Sequence, residues 1–169
     1  MTPPRLETDR LVLRALADED FDRFAVICAD PEVMRWVSVD GRPLARPQAW
    51  RAMAMLVGHW ALRGYGQWAV VEKATGAFIG RAGLWNPEGW PGLEVGWFFD
   101  RARWGNGFAT EAARAALAWA FDTLDARHVI SVIHPANAAS IRVAERIGET
   151  FERTIVLDGL ELAIYGLRR

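Results

Sequence analysis

The sequence has one cysteine, Cys28, and three scattered histidines. A lone cysteine excludes an intrachain disulfide and a cysteine-rich metal site, so we expect Cys28 to be a buried structural thiol in an apolar helical pattern. The histidines, His59, His128 and His134, do not form the HxxxH or HExxH spacing of a zinc site. The sequence therefore predicts a protein that binds no metal.

A strong charge of one sign and a long apolar run are also missing. The net charge is −1 and Lys73 is the only lysine among 20 basic residues, so no overall positive field would attract nucleic acid. No apolar run reaches the ~18–20 residues that span a membrane, and the polar N-terminus, MTPPRLETDR, lacks the apolar centre of a signal peptide. We therefore expect a cytoplasmic protein with neither a nucleic-acid nor a membrane partner.

The chain does have enough apolar sequence for one folded domain. Its 169 residues are 51% hydrophobic, which favours a single domain over 1–169 rather than disorder. Periodicity and turn residues predict strands over 11–16, 66–73, 77–85, 93–99, 126–133, 150–157 and 160–167. They also predict a first helix that Asp18 or Asp20 caps and that ends at about Ala29. Further helices are predicted over 30–37, 47–63, 109–124 and 137–147. This alternation indicates a mixed α+β protein with about six to seven strands in its sheet.

A glycine-rich turn, Trp104-Gly105-Asn106-Gly107-Phe108-Ala109, lies between strand 93–99 and an alanine-rich helix. The first N–H groups of a helix have no partner within it, and the aligned peptide dipoles place roughly +0.5 charge at that end. Glycine lets a ligand approach the backbone, so this arrangement can hold a phosphate group. The GxxxxGK[ST] and GxGxxG patterns are absent, which disfavours a nucleoside-triphosphate or dinucleotide loop. A plain tight turn explains the glycines equally well.

A second polar pair begins the next helix. Asn137 and Ser140 follow Pro135 and are three residues apart, so they share one face at the helix start. An N-cap role for Asn137 and an ordinary first-turn role for Ser140 would explain the pair without a ligand. If strands 93–99 and 126–133 are neighbours, however, both helix starts border one cleft at the same edge of the sheet.

Four stretches together resemble the GNAT N-acetyltransferase superfamily, in particular its RimJ/RimL-like branch. They are LETDRLVLR (6–14), DPEVMRWV (30–37), LEVGWFFDRARWGNGFATEA (93–112) and NAASIRVAERIGE (137–149), in the family's order over nearly the whole chain. The segment RWGNGFATEA is similar to the acyl-CoA loop of that branch, Q/R-x-x-G-x-G/A, with Trp104 in the first place. The resemblance implies the GNAT fold, in which helices flank a splayed and mostly antiparallel sheet.

The resemblance also implies the cofactor and its binding mode. Acetyl-CoA would be the co-substrate, with its pyrophosphate on backbone N–H groups of Trp104, Gly105, Asn106, Gly107, Phe108, Ala109 and Thr110. Strands 93–99 and 126–133 would part to admit the pantetheine arm, which the backbone of Val95 and Trp97 and the side chain of Asn137 would hold. The acetyl group would then pass directly to a primary amine, on a protein N-terminus or a small molecule.

Two residues are candidates for the chemistry. Many superfamily members carry a tyrosine four residues before the glycine of the last helix, but this chain has Ala144 there, so the resemblance leaves Ser140 to hydrogen-bond the leaving sulfur. The attacking amine must be neutral, which an α-amino group with a pKa near ~8 reaches more easily than lysine. Glu94 is the candidate base because it lies opposite the apolar alternate residues of strand 93–99. A glutamate that faces solvent would have no such role.

Nine tryptophans are many for a chain of this length. Core and loop packing explains most of them, but some could line an acceptor pocket. One wall would then consist of Trp85, Trp90 and Trp97, and the opposite wall of Trp36, Trp50 and Trp60. Glu88 and Glu94 near the mouth would tolerate a cationic acceptor.

Two other classes of protein remain open from the sequence. A non-catalytic acyl-CoA binding module would bind acetyl-CoA without turnover, and the missing tyrosine is consistent with it. In a structural protein without a ligand, the turn at 105–107 would only connect the strand to the helix. A homodimer is expected by resemblance, since dimers are common among relatives.

Overall fold

The computed structural model describes residues 2–169 of the chain. The helices are α1 (Phe21–Cys28), α2 (Pro31–Met34), α3 (Arg46–Arg63), α4 (Phe108–Thr123) and α5 (Ala138–Arg146). The strands are β1 (Leu6–Glu7), β2 (Leu11–Arg14), β3 (Gln67–Glu72), β4 (Phe78–Trp85), β5 (Glu94–Phe99), β6 (His128–Ile133), β7 (Thr150–Leu157) and β8 (Leu160–Arg168). A short 3-10 turn precedes each of α1 and α4, over Asp18–Asp20 and Arg101–Arg103.

The strands form one sheet in the order β1-β2-β3-β4-β5-β6-β8-β7. Neighbouring strands are antiparallel except β5 and β6, which run parallel and share a single register pair, Glu94 with Ile130. Beyond this pair the two strands part, and the sheet opens between them. The predicted mixed α+β fold with a splayed, mostly antiparallel sheet is confirmed.

Helices cover both faces of the sheet, and each face has its own core. The helix α4 packs on one face through a stripe of fully buried alanines, Ala112, Ala113, Ala116 and Ala120. These small side chains let the helix lie close to large residues of the sheet such as Trp68 and Leu84, which are also fully buried. The helices α1 and α3 cover the other face, where Phe24 and Leu56 pack with Phe98. The opening between β5 and β6 therefore connects two separately covered faces.

The structure differs from the sequence predictions at several boundaries. The sheet has one strand more than predicted, because Leu6–Glu7 pairs with β2 over a stretch too short to show periodicity. The first predicted strand ends at Arg14 and the second predicted helix ends at Met34. Asp20 does not cap α1 with its side chain. Its buried carboxylate instead accepts two hydrogen bonds of 2.7 Å from the guanidinium of Arg14, which ends β2.

Glu149 is a buried carboxyl group without a hydrogen-bond partner. It lies between α5 and β7, is 2% exposed, and neither side-chain oxygen is paired. Burial raises its pKa to about 8, and the charges of Glu94 and Glu152 act in the same direction. Proximity to Ser131 opposes part of this shift. The Ser131 hydroxyl itself donates to the Val95 carbonyl at 2.8 Å, so neither Glu149 oxygen receives its hydrogen bond. The carboxyl is therefore mostly neutral at pH 7.

We predict that Glu149→Gln stabilises the protein at high pH. The pKa of Glu149 is about 8 in the fold against 4.5 for the free side chain, so its contribution to stability falls as the pH rises through this interval. An amide cannot ionise, so near pH 9 the variant should have a free energy of unfolding about 1–3 kcal/mol above that of the wild type. Urea unfolding at several pH values measures the difference, which should shrink toward pH 5. A difference that does not depend on pH would contradict the ionisation of Glu149.

Candidate active site

The glycine turn between β5 and α4 has a locally determined backbone. Asp100 caps the 3-10 turn after β5, with its Oδ1 accepting from the Ala102 N–H at 3.0 Å. Gly105 and Gly107 have φ values of +78° and +79°, in the left-handed region that favours glycine. Gly107 is the N-cap of α4 and has no side chain that could cap the first N–H groups of the helix. These N–H groups are therefore open to an anionic ligand.

Arg10 holds this turn from the N-terminal segment. Its Nη1 donates to the Asn106 carbonyl at 2.9 Å, and its Nε donates to Glu111 at 2.7 Å. Its guanidinium carbon lies 4.6 Å from the centre of the Phe108 ring. Thr8 Oγ1 donates to the other Glu111 oxygen at 2.6 Å. The segment 6–14 thus fixes the glycine turn and the first turn of α4, and no local pattern in the sequence reveals this contact.

The side chains of the turn brace the turn itself. Trp104 Nε1 donates to the Phe99 carbonyl at 3.0 Å, although the residue is 47% exposed. Asn106 Nδ2 donates to the carbonyls of Arg103 and Trp104, both at 3.1 Å. A ligand at this turn would therefore meet backbone N–H groups, which is the role that the family resemblance implies.

A cavity of about 250 Å³ lies beside the turn, between the starts of α4 and α5. We call it the loop cavity. Among the residues implied by the resemblance, Trp97, Trp104, Gly105, Gly107, Phe108, Ala109, Thr110 and Asn137 line it. Val95, Asn106 and Ser140 are not part of this lining. The structure therefore brings most, but not all, of the expected cofactor residues to one cavity.

Three arginines also line the loop cavity and were missed from the sequence. Arg103 precedes the glycine turn, and Arg142 and Arg146 project from α5. Arg103 is paired with Glu72 at 3.2 Å. The positive charges of Arg142 and Arg146 add to that of the α4 N-terminus, so the cavity suits a ligand with phosphate groups. The spacing of Arg142 and Arg146, four residues apart on one helix face, is the sequence signal that could have identified two of them.

Asn137 and Ser140 form a hydrogen-bonded unit with Trp97. Asn137 is the N-cap of α5, and its Oδ1 accepts from the Ser140 N–H at 3.2 Å. Asn137 Nδ2 donates to Ser140 Oγ at 3.1 Å, and Trp97 Nε1 donates to the same oxygen at 3.3 Å. The hydroxyl oxygen thus accepts two hydrogen bonds, which leaves its own proton free for another acceptor. Ala144, at the position where many relatives have tyrosine, is fully buried.

A second cavity, of about 320 Å³, lies at the other side of the opening in the sheet. We call it the tryptophan cavity, because Trp36, Trp85, Trp90 and Trp97 line it. Glu94 and Val95 also belong to its lining. The two cavities share Trp36, Val37 and Trp97, so they adjoin at these residues.

The carboxyl group of Glu94 faces the tryptophan cavity rather than bulk solvent. Trp90 Nε1 donates to Glu94 Oε2 at 2.7 Å. Burial raises the pKa of Glu94 to about 7, while the Trp90 hydrogen bond, a backbone hydrogen bond from Val132 and the charge of Arg81 oppose part of the shift. Both protonation states are thus populated near neutral pH, which suits a group that takes up a proton.

Two tryptophans expected in the acceptor pocket do not line it. The face of α3 that packs against the sheet consists of Ala49, Met53, Leu56, His59 and Trp60, and Trp50 lies outside this stripe with 55% exposure. Trp60 is buried in the core against Trp68, with ring centres 4.9 Å apart, and its Nε1 donates to the Gln67 carbonyl. Glu88, expected near the mouth, is fully exposed and outside the cavity lining.

Within residues 2–169, no histidine, cysteine and carboxylate side chains are grouped so that they could hold a metal ion. In the same part of the chain, no helix is both long and apolar enough to cross a membrane. Cys28 is buried, as expected, and burial raises its pKa to about 11, so the thiol stays protonated and unreactive.

Comparison with known proteins identifies the family. Residues 10–150 match the acetyltransferase (GNAT) domain. The uncharacterized protein YkkB of Bacillus subtilis (strain 168) is 36% identical over 168 residues, which cover 95% of this chain and 94% of that protein. The crystal structure of an acetyltransferase from Agrobacterium tumefaciens str. C58 is 32% identical and covers 100% of this chain and 96% of its own, with a TM-score of 0.88. The chain therefore belongs to the GNAT acetyltransferase family, and the family inferred from its motifs is confirmed.

A more distant structure was solved with a ligand. RimL, the ribosomal L7/L12 α-N-protein acetyltransferase, was determined in complex with coenzyme A; it is 16% identical, covers 98% of each chain and has a TM-score of 0.81. At this identity the likeness shows the fold alone. Family membership nevertheless makes this chain an acetyltransferase, and enzymes of the family use acetyl-CoA and act on amines.

We predict that Trp90→Phe raises the pKa of Glu94 above about 7. The indole N–H stabilises the ionised carboxylate through the hydrogen bond of 2.7 Å, and phenylalanine keeps an apolar ring there without the donor. Titration of the Glu94 side-chain carboxyl carbon by NMR measures the change. Trp50→Phe, on the exposed side of α3, is the control. An unchanged or lower pKa in Trp90→Phe would show that the indole does not stabilise the carboxylate.

Proposed function

We propose that this chain transfers an acetyl group from acetyl-CoA directly to a primary amine, on a protein N-terminus or a small molecule. The observation that carries the proposal is that the two cavities adjoin at Trp97. One cavity has the helix terminus and arginines that suit a phosphate-bearing cofactor. The other has a buried carboxyl group, Glu94, that suits an amine. The junction would bring the acetyl group and the amine together.

The loop cavity offers the groups that acetyl-CoA requires. Backbone N–H groups across 104–110 would bind the pyrophosphate, supported by the charges of Arg142 and Arg146. The backbone of β5 at Val95 and Trp97 and the side chain of Asn137 would hold the pantetheine arm. When bound, acetyl-CoA supplies the acetyl group as a thioester, and the chain itself supplies position and proton transfer.

Ser140 and Glu94 have complementary tasks in this proposal. The oxygen of the Ser140 hydroxyl already accepts two hydrogen bonds. The hydroxyl can therefore donate a hydrogen bond to the leaving sulfur without transferring its proton. A thiol has a pKa near ~8.5, so one hydrogen bond is enough to help the thiolate depart. The amine nitrogen bonds to the acetyl carbon as the carbon–sulfur bond breaks. Glu94 takes the proton that the amine loses, directly or through a water molecule.

The second candidate function is a non-catalytic acyl-CoA binding module. The observation in its favour is Ala144, which has no proton to give to a leaving thiolate. Membership of an acetyltransferase family and the free hydroxyl proton of Ser140 favour catalysis. The release of free thiol in the presence of an amine separates the two functions.

A homodimer, expected from the family resemblance, stays a prediction. The strand β7 lies at the edge of the sheet and exposes two large apolar residues, Phe151 at 58% and Val156 at 74%. Such residues on an edge strand are compatible with pairing between two copies. Sedimentation of the purified protein measures its oligomeric state.

We predict that Gly107→Val abolishes acetyl-CoA binding. Its φ of +79° is strained for valine, so the substitution would distort the turn that presents the backbone N–H groups, next to the Arg10 guanidinium that holds it. Acetyl-CoA at about a hundred times its Kd should stabilise the wild type by roughly 2.7 kcal/mol, or about 5–10 °C in Tm, and should not shift the variant.

The matched control for this substitution is Gly76→Val. Gly76 has a φ of +69° in the turn between β3 and β4, and an added Cβ would meet nothing within 4 Å. It carries the same kind of backbone strain at a distance from the loop cavity, so its Tm should still rise with acetyl-CoA. Normal binding by Gly107→Val would contradict the placement of the cofactor at this turn. No Tm shift in the wild type would contradict acetyl-CoA as the co-substrate.

We predict that Glu94→Gln removes the rise of kcat with pH near neutrality. A base must be ionised, so kcat should be low below the pKa of about 7 and rise as the pH passes it. Glutamine cannot accept the proton, and kcat should fall by about 10²–10⁴. Free-thiol release over a range of pH measures the profile, with the exposed Glu88→Gln as control. A wild-type pH profile in Glu94→Gln would assign the base to another group.

A further inference from the structure

Arg81 is a cation on the wall of the tryptophan cavity without a counter-ion. It projects from β4, and no carboxylate among residues 2–169 lies within ion-pair distance of it. Its Nη1 donates to Gln67 Oε1, but its Nε is buried and has no hydrogen-bond partner. Its guanidinium carbon lies 4.8 Å from the centre of the Phe98 ring. Burial lowers the pKa of Arg81 to about 10, so the group still carries its charge at neutral pH.

The neighbours of Arg81 compensate this charge incompletely. A neutral amide and an aromatic ring stabilise a desolvated cation much less than a carboxylate does. The Cys28 thiol is protonated, because burial raises its pKa to about 11. Glu94 acts on Arg81 only from a distance, and its own pKa of about 7 leaves it partly neutral. Asp158 also lines the cavity but forms no ion pair with Arg81. The desolvated guanidinium is therefore suited to pair with one anionic group of a ligand.

Glycine at position 96 keeps the floor of the cavity open. A Cβ at Gly96 would lie 3.3 Å from Gln67 Nε2 and 3.5 Å from Glu94 Oε1. No side chain therefore separates the Gln67 amide from the Glu94 carboxyl group. Gln67 also contacts Arg81. The Arg81 guanidinium, the Gln67 amide and the Glu94 carboxyl group therefore lie in this order along the open floor of the cavity.

The geometry points to an acceptor that carries a carboxylate as well as its amine, with the carboxylate on Arg81 and the amine toward Glu94. This inference rests on the proposed function and narrows its substrate class to small amino-carboxylates. The two oxygens of a carboxylate match the paired N–H groups of a guanidinium. A phosphate would bring up to two negative charges, whereas Arg81 is the one arginine or lysine among the described residues that line this cavity.

The size and walls of the cavity define the rest of the acceptor. Its volume of about 320 Å³ lies at the lower end of the ~300–1,000 Å³ typical of small-molecule sites. Its walls are mostly apolar, formed by indole rings together with Met55, Leu160 and Leu162. An amino acid with an aromatic or aliphatic side chain fits this description. The N-terminal residue of a protein lacks the free α-carboxylate, because its carboxyl group is in a peptide bond.

The test compares amino acids with their carboxamides, which differ only in the charged group. A panel of apolar L-amino acids, including phenylalanine, is assayed as acceptors, and the N-acetylated products are titrated by tryptophan fluorescence. For the wild type we expect kcat/KM and product affinity to be about 10–100-fold higher for the carboxylate than for the carboxamide. In Arg81→Met this ratio should fall to near one, while the Tm shift with acetyl-CoA stays at the wild-type value. Arg51→Met, on the exposed side of α3, should keep the wild-type ratio.

Each outcome separates this inference from the proposed function. Transfer to carboxamides or to peptide N-termini as efficient as transfer to the free acids would overturn the inference and leave the acetyltransferase intact. Carboxylate-selective product binding that depends on Arg81, but without thiol release, would support the anion site and contradict the proposed reaction. If Arg81→Met does not fold, the inference is tested by the carboxylate-to-carboxamide ratio of the wild type and by Arg81→Lys. Lysine keeps the positive charge, so this variant should retain part of the preference for the carboxylate. A wild-type ratio near one across the whole panel would overturn the inference by itself.

Discussion

The single parallel contact between β5 and β6 is the constraint on which the site depends. The two strands share one register pair, Glu94 with Ile130, and then diverge. Backbone groups beyond the pair lose their ladder partners, and a buried N–H or C=O needs another one. The Ser131 hydroxyl satisfies the Val95 carbonyl at 2.8 Å. The remaining groups face an opening between two cavities, where an extended ligand can complete the hydrogen bonding.

The alternation of side chains along β5 distributes chemistry across this opening. Glu94 projects on the side of the sheet that α1 and α3 cover, where Arg81 and Gln67 also line the tryptophan cavity. Trp97 projects on the other side and lines the loop cavity as well. One short strand thus contributes both to the proposed cofactor site and to the proposed acceptor site. A shift of one residue in the register of β5 would exchange the two sets of side chains, so the pairing with β4 fixes the chemistry as well as the fold.

Structural features that depend on a local pattern could be predicted from the sequence. Contacts between residues that are distant in the chain could not. The glycine turn and, apart from the two-residue strand β1, the order of strands and helices follow from residues that are close in the chain, and the sequence predicts them. The contact of Arg10 with Asn106 spans 96 positions and has no local signature. The contact of Arg81 with Gln67 forms only when β3 and β4 pair. Trp50 and Trp60 were misplaced because helical position, rather than residue type, decides which indole is buried, exposed or lines a cavity.

The tryptophans of the cleft act as hydrogen-bond donors as well as walls. Trp90 donates to Glu94, and Trp97 donates to Ser140. An indole N–H only donates and does not ionise near neutral pH. It can therefore orient a carboxylate without competing for the proton that the carboxylate accepts, and it can occupy a lone pair of a hydroxyl oxygen while leaving the hydroxyl proton free. In the proposed reaction, Glu94 accepts a proton and Ser140 donates a hydrogen bond, and each is held by an indole N–H that cannot accept a proton.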